Sequence, residues 1–133
     1  ISFSLNFREV FETRDGWFAE HRPHFNVGYK DSFGKFVLSN RFRVELRTYE
    51  IYDTSMRYRN KLEFGLKVKK SYFFVNDEIF FTHSDIPRNR NCLGMSYKTT
   101  DSLKLSLSYL LQQNFKEVLI LNHAAHIKFS LKI

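Results

Sequence analysis

The sequence predicts an all-β protein: an antiparallel up-and-down β-barrel of about eight strands, apolar outside and with a charged lumen, built from residues 1–133 as one domain. Three observations predict it. Apolar and polar residues alternate with period two over long segments, clearest from Lys35 to Tyr49. There Phe36, Leu38, Asn40, Phe42, Val44, Leu46 and Thr48 share one face, and Arg41, Arg43, Glu45 and Arg47 share the other. These segments are also longer than ordinary strands of about 5–6 residues. They suit a tilted strand that crosses a bilayer in about 9–11 residues. Finally, short clusters of turn-forming residues separate them, and no apolar run approaches the roughly 18 residues of a membrane-crossing helix.

Strand one is expected over Ser2–Glu12, with Phe3, Leu5 and Phe7 opposite Ser2, Ser4, Asn6 and Arg8. Arg14-Asp15-Gly16 reads as a hairpin turn, because Asp-Gly tolerates positive φ. Strand two is Trp17–Lys30, with Ala19, Phe25, Val27 and Tyr29 opposite Glu20, Arg22, His24, Asn26 and Gly28. Pro23 cannot donate to a ladder, which predicts a bulge. Asp31–Gly34 turns into the third strand, Lys35–Tyr49, and Glu50–Ser55 forms a loop. Strand four is Met56–Val68, with Tyr58, Leu62, Phe64 and Leu66 opposite Arg57, Arg59, Lys61, Glu63 and Gly65. After Lys69-Lys70-Ser71 comes strand five, Tyr72–Thr82, whose alternation is blurred by Phe74 and Phe80. Ser84–Arg88 is a loop, Asn89–Lys98 strand six, Thr99–Ser102 a turn and Leu103–Gln113 strand seven. Asn114–Glu117 turns into the last strand, Val118–Ile133.

The volume of a small barrel decides which face is inside. Eight strands enclose a lumen only just wide enough to be filled by side chains. The apolar set, mostly Phe, Leu and Tyr, would crowd it. The polar set mixes long charged groups with Ser39, Gly65, Gly94, Ser96, Ser106 and Ser108, so cations can cross the lumen to carboxylates. The expected lumenal network is Glu20, Arg22, Arg41, Arg43, Glu45, Arg47, Arg57, Arg59, Glu63, Glu78 and Arg90. The expected lipid-facing set is Phe36, Leu38, Phe42, Val44, Leu46, Leu62, Phe64, Leu66, Leu105 and Leu107. Trp17, Tyr29, Tyr49, Tyr58, Tyr72 and Tyr97 fall near strand ends, as an interfacial aromatic girdle requires.

The formal net charge is +7, and 17% of residues are aromatic. Nucleic acid is not the expected partner, because bases stack on aromatics set beside cations and here the two segregate to opposite faces. A single cysteine, Cys92, forbids an internal disulfide. Dispersed histidines offer no metal-ligand spacing, and no cofactor is expected. Ile1–Phe7 lacks the basic start and apolar core of a signal peptide. A narrow charged lumen argues against a porin, and short loops argue against an adhesin.

Several motifs follow one another in order: N-R-F-R-V-E-L-R (Asn40–Arg47), R-Y-R-N-K-L (Arg57–Leu62), N-D-E-I-F (Asn76–Phe80), N-R-N-C-L-G-M-S-Y (Asn89–Tyr97) and L-S-L-S-Y (Leu105–Tyr109). The set resembles an uncharacterised bacterial family, domain of unknown function 2490, over roughly the last two-thirds of the chain. The resemblance implies an exported outer-membrane β-barrel, usually longer at its N-terminus, with no established activity to carry over.

The expected role is structural or accessory in an outer-membrane assembly, with outer-membrane lipid and other outer-membrane proteins as partners and no catalysis. A soluble lipocalin-like barrel holding a small apolar ligand is the alternative, and would bury Phe42, Phe64 and Leu107. A lumenal hydrolase or acyltransferase is a third reading. It needs His24 or His126 within reach of a serine and a carboxylate such as Glu78.

Overall fold

The computed structural model describes residues 1–12, 18–49, 54–82, 88–115 and 119–131. The expected Arg14-Asp15-Gly16 turn, Trp17, His83, Ile133, most of the Glu50–Ser55 and Ser84–Arg88 connections and half of Asn114–Glu117 lie outside these residues. Every regular element described is a strand: β1 (Ser2–Asn6), β2 (Glu9–Glu12), β3 (Phe18–His21), β4 (His24–Phe33), β5 (Phe36–Tyr49), β6 (Ser55–Val68), β7 (Ser71–Thr82), β8 (Arg88–Lys98), β9 (Leu103–Phe115) and β10 (Leu119–Leu131). They form one ten-stranded sheet in the order β1-β4-β5-β6-β7-β8-β9-β10, with the β2–β3 hairpin joined through β3 to β5. All pairs are antiparallel, and from β4 onward each strand pairs with the next in the chain. The sheet is open: β1 and β10 are each paired on one side only.

Ten strands stand where about eight were expected because the first two expected strands are each divided. The division near Pro23 is not the expected bulge. Asn6 pairs His24 and Glu9 pairs His21, so the offset between the two paths is the same on either side of the break. Across the other neighbour, His24 pairs Glu45 and His21 pairs Thr48, again without an extra residue. Arg8 and Arg22 exchange both backbone bonds, and Leu46 N–H donates to the Pro23 carbonyl at 3.0 Å. Proline removes one donor but inserts nothing, so the ladder skips a rung and keeps its register.

The turns are tighter than expected. β4 runs to Phe33, leaving Gly34-Lys35 as a two-residue connection with Gly34 at φ 61°. Lys69-Lys70 is a second, with Lys69 at φ 51°. Positive φ at the first turn residue matches the twist of the flanking strands. Such short turns fix register, and register fixes which face each side chain takes.

Those faces differ sharply in burial. The buried residues described are Glu20, Asn26, Val37, Glu45, Gly65, Asn76, Glu78, Phe80 and Ser96. Cross-strand pairing puts all of them on the polar face. Phe36, Phe42, Phe64, Leu93, Leu107 and Phe129 on the opposite face are all exposed, Leu93 and Phe129 at 65% and 72%. Among the described residues no helix covers either face, and one cleft is lined from both β4 (Lys30) and β10 (Ser130), so the sheet curls over its polar face. The polar face is therefore the inner one, and the usual arrangement of a half-solvated sheet is reversed.

Candidate functional site

The inner face carries a continuous ionic network across β4–β7. Glu45, with 3% of its side chain exposed, stands opposite Arg57 on β6 and His24 on β4. Its Oε1 accepts from Arg59 at 2.8 Å and Arg43 at 3.2 Å, and its Oε2 accepts from Arg57 Nε at 2.7 Å and from Arg57 Nη2. Arg59 reaches on to Glu78 Oε1 at 2.8 Å, and Arg41 donates to the same oxygen at 3.1 Å. Arg43 Nε closes the other end on Asn26 Oδ1. One guanidinium thus bridges two carboxylates, as its fork geometry allows. Glu20 forms a second cluster with Arg22 and Arg47, and Arg47 lies over the Tyr49 ring at 5.1 Å. Glu63 forms a third, accepting from Lys61 at 3.0 Å and from the Tyr72 hydroxyl at 2.9 Å.

Every residue of the expected charged set therefore lies on this face. Arg90 enters it without a carboxylate contact, donating instead to Gln112 Oε1 at 2.6 Å. Phe80 is the residue that sequence reasoning missed. Its apolar ring blurs the alternation of its strand, yet it is 4% exposed among the cations. Arg59, Arg90 and Arg57 lie over its ring at 4.6, 4.7 and 5.8 Å. The negative faces of the ring attract these three like charges, which offsets part of their repulsion. Tyr72 and Tyr49, expected in an interfacial girdle, both lie on the inner face by register. Gly65 makes room for Tyr72: a Cβ there would overlap its ring and hydroxyl.

The expected apolar set, Phe36, Leu38, Phe42, Val44, Leu46, Leu62, Phe64, Leu66, Leu105 and Leu107, lies on the outer face. No strand Lys or Arg among the described residues shares it. It is not wholly apolar, however. Asn40 and Asn60 exchange side-chain hydrogen bonds, the closer at 3.0 Å, and Asn91 donates to Asp77 at 2.7 Å. The alternation already assigned Asn40 to this side, which was the available signal.

His24 Nδ1 lies 3.1 Å from the Arg22 carbonyl. His126 stands opposite Ser108 across the β9–β10 ladder. His123 meets the Tyr109 hydroxyl on the outer face. Among the described residues no three His, Cys, Asp or Glu side chains form a metal-binding group. At the β8–β9 turn, Lys98 holds the Asp101 carboxyl below its usual range through a 2.7 Å contact. A depressed carboxyl keeps its partner above the ordinary value and releases it as pH falls through the lowered one.

The model of a family described as a protein of unknown function, DUF2490, matches residues 2–118. That span begins well before the motifs at Asn40. No curated protein and no solved structure matches.

Proposed function

The chain belongs to the DUF2490 family, and from that premise we propose that it forms the wall of a small β-barrel in a bacterial outer membrane, with a structural or accessory role in a membrane assembly. One observation carries the reading: burial is inverted. The strand cations and the carboxylates that pair with them are inside the curl, and Phe and Leu cover most of its outside. Water favours the opposite arrangement, whereas a bilayer favours this one. Strands cross a lipid phase only if their backbone groups are bonded, so the open edges at β1 and β10 would have to be joined there. The internal ion pairs would then brace the wall, since the lumen has no room for a second layer.

The supporting test is cellular fractionation followed by electrophoresis of unheated and heated samples. Recovery in the outer membrane with a heat-modifiable band is expected. Recovery as a detergent-free soluble monomer would overturn the reading. The lipocalin-like alternative finds no supporting observation, because Phe42, Phe64 and Leu107 are 41%, 48% and 43% exposed.

A further inference from the structure

We propose that the end of the sheet carrying the short turns holds a binding site for the phosphate headgroup of an anionic lipid. The proposal rests on the membrane reading above. A cleft of about 650 Å³ opens there on the inner face. Lys30, Lys67, Lys69, Lys70, Lys98 and Lys104 line it. Its two acids are already engaged, Glu63 by Lys61 and Tyr72, and Asp101 by Lys98. Lys30, Lys67, Lys69, Lys70 and Lys104 make no ion pair among the described residues. The cleft therefore concentrates positive charge that no described residue neutralises.

Cation types are divided along the strands. Arginines hold Glu20, Glu45 and Glu78, where planar forks suit carboxylates. Lysines gather at the turns, where a compact, hydrated charge suits a mobile phosphate. Lys69 even occupies a turn position at φ 51° that glycine or asparagine takes more easily. Ser71 and Ser130 add hydroxyl groups to the wall.

The lip of the cleft distinguishes a lipid from a free anion. Leu103 and Leu131 line it beside the lysines and are direct partners across the β9–β10 ladder. Both belong to the outer face, and Leu131 is 69% exposed. From that lip the apolar surface continues through Phe129 and Leu105. A ligand with a phosphate at one end and an acyl chain at the other fits this juxtaposition. Clustered lysines at a membrane surface attract anionic headgroups for the same electrostatic reason.

The test uses the full chain refolded into vesicles of phosphatidylcholine, alone or with phosphatidylglycerol. Lysines are acylated with an amine-reactive ester and read one by one by mass spectrometry. Phosphatidylglycerol should slow acylation of Lys67, Lys69, Lys70 and Lys104 several-fold and leave Lys128 unchanged. Leu131→Ser should weaken that protection while the heat-modifiable band persists. Equal reactivity in the two vesicles overturns the proposal. So does equal protection by inorganic phosphate in neutral vesicles, which would make the cleft a free-anion site. Failure to insert into neutral vesicles would instead defeat the membrane reading, and the lipid site with it; insertion without protection defeats the lipid site alone.

Discussion

At the scale of single residues, Glu45 is the most heavily used group in the protein. Three arginines donate to it, and it is almost wholly withdrawn from water. Glu45→Ala strands those cations together and should cost about 3–5 kcal/mol, the usual penalty for breaking a buried pair on one side. A shift of the urea midpoint measures it. Phe80 makes a sharper test because its neighbour in sequence is a control. Phe80→Leu keeps the bulk but removes the ring face beneath three guanidiniums, and should lose about 1–2 kcal/mol. Phe81→Leu, on the exposed outer face, should change stability by less than about 0.5 kcal/mol. Equal effects in a denaturation series would mean that Phe80 acts only by filling space. The charged residues were legible in the sequence because alternation assigns faces without any knowledge of contacts. Phe80 was not legible: hydrophobicity argued for the outer face, while its position in the ladder put it inside.

At the scale of elements, the long strands β5 to β9 follow the alternation closely, since each carries enough residues to average out an exception. The N-terminal strands are short enough for one residue to matter. Pro23 suggested a bulge, but the flanking pairs keep their register because the loss of one donor is cheaper than shifting every side chain of a strand to the wrong face. Contacts along one face were less legible. Nothing in the spacing of Gly65 and Tyr72 says that the ring lies over the glycine, since that follows from their proximity across the β6–β7 hairpin. Gly65→Ala should push Tyr72 off Glu63 and cost about 1–3 kcal/mol. In a double-mutant cycle that cost should largely vanish on a Tyr72→Ala background. Persistence of the full cost would place the strain in the backbone instead.

At the scale of the whole molecule, the decisive property is the sorting of charge. The strand cations face inward, and the outer surface is left to Phe, Leu, a few amides and the carboxylates of Asp31 and Asp77. Leu62→Arg, at the middle of β6, puts a cation on that surface. In vesicles it should destabilise the folded state by about 2–4 kcal/mol, the cost of a base at the lipid midplane. Were the same face bathed by water, the change should fall within about 0.5 kcal/mol. Refolding titrations of both proteins in neutral vesicles separate the two outcomes. The open or closed state of the sheet was beyond the reach of the sequence, because alternation describes neighbours and closure joins the two strands farthest apart in the chain.

That separation sets a timetable. From β5 to β10 each strand pairs with the strand made just before it, so the wall can grow one hairpin at a time. Each new strand arrives with its partner waiting, and no stretch must idle unpaired for long. The exceptions are the outer edges of β1, which is early, and β10, which is last. Their fate is decided only when everything between them is already in place.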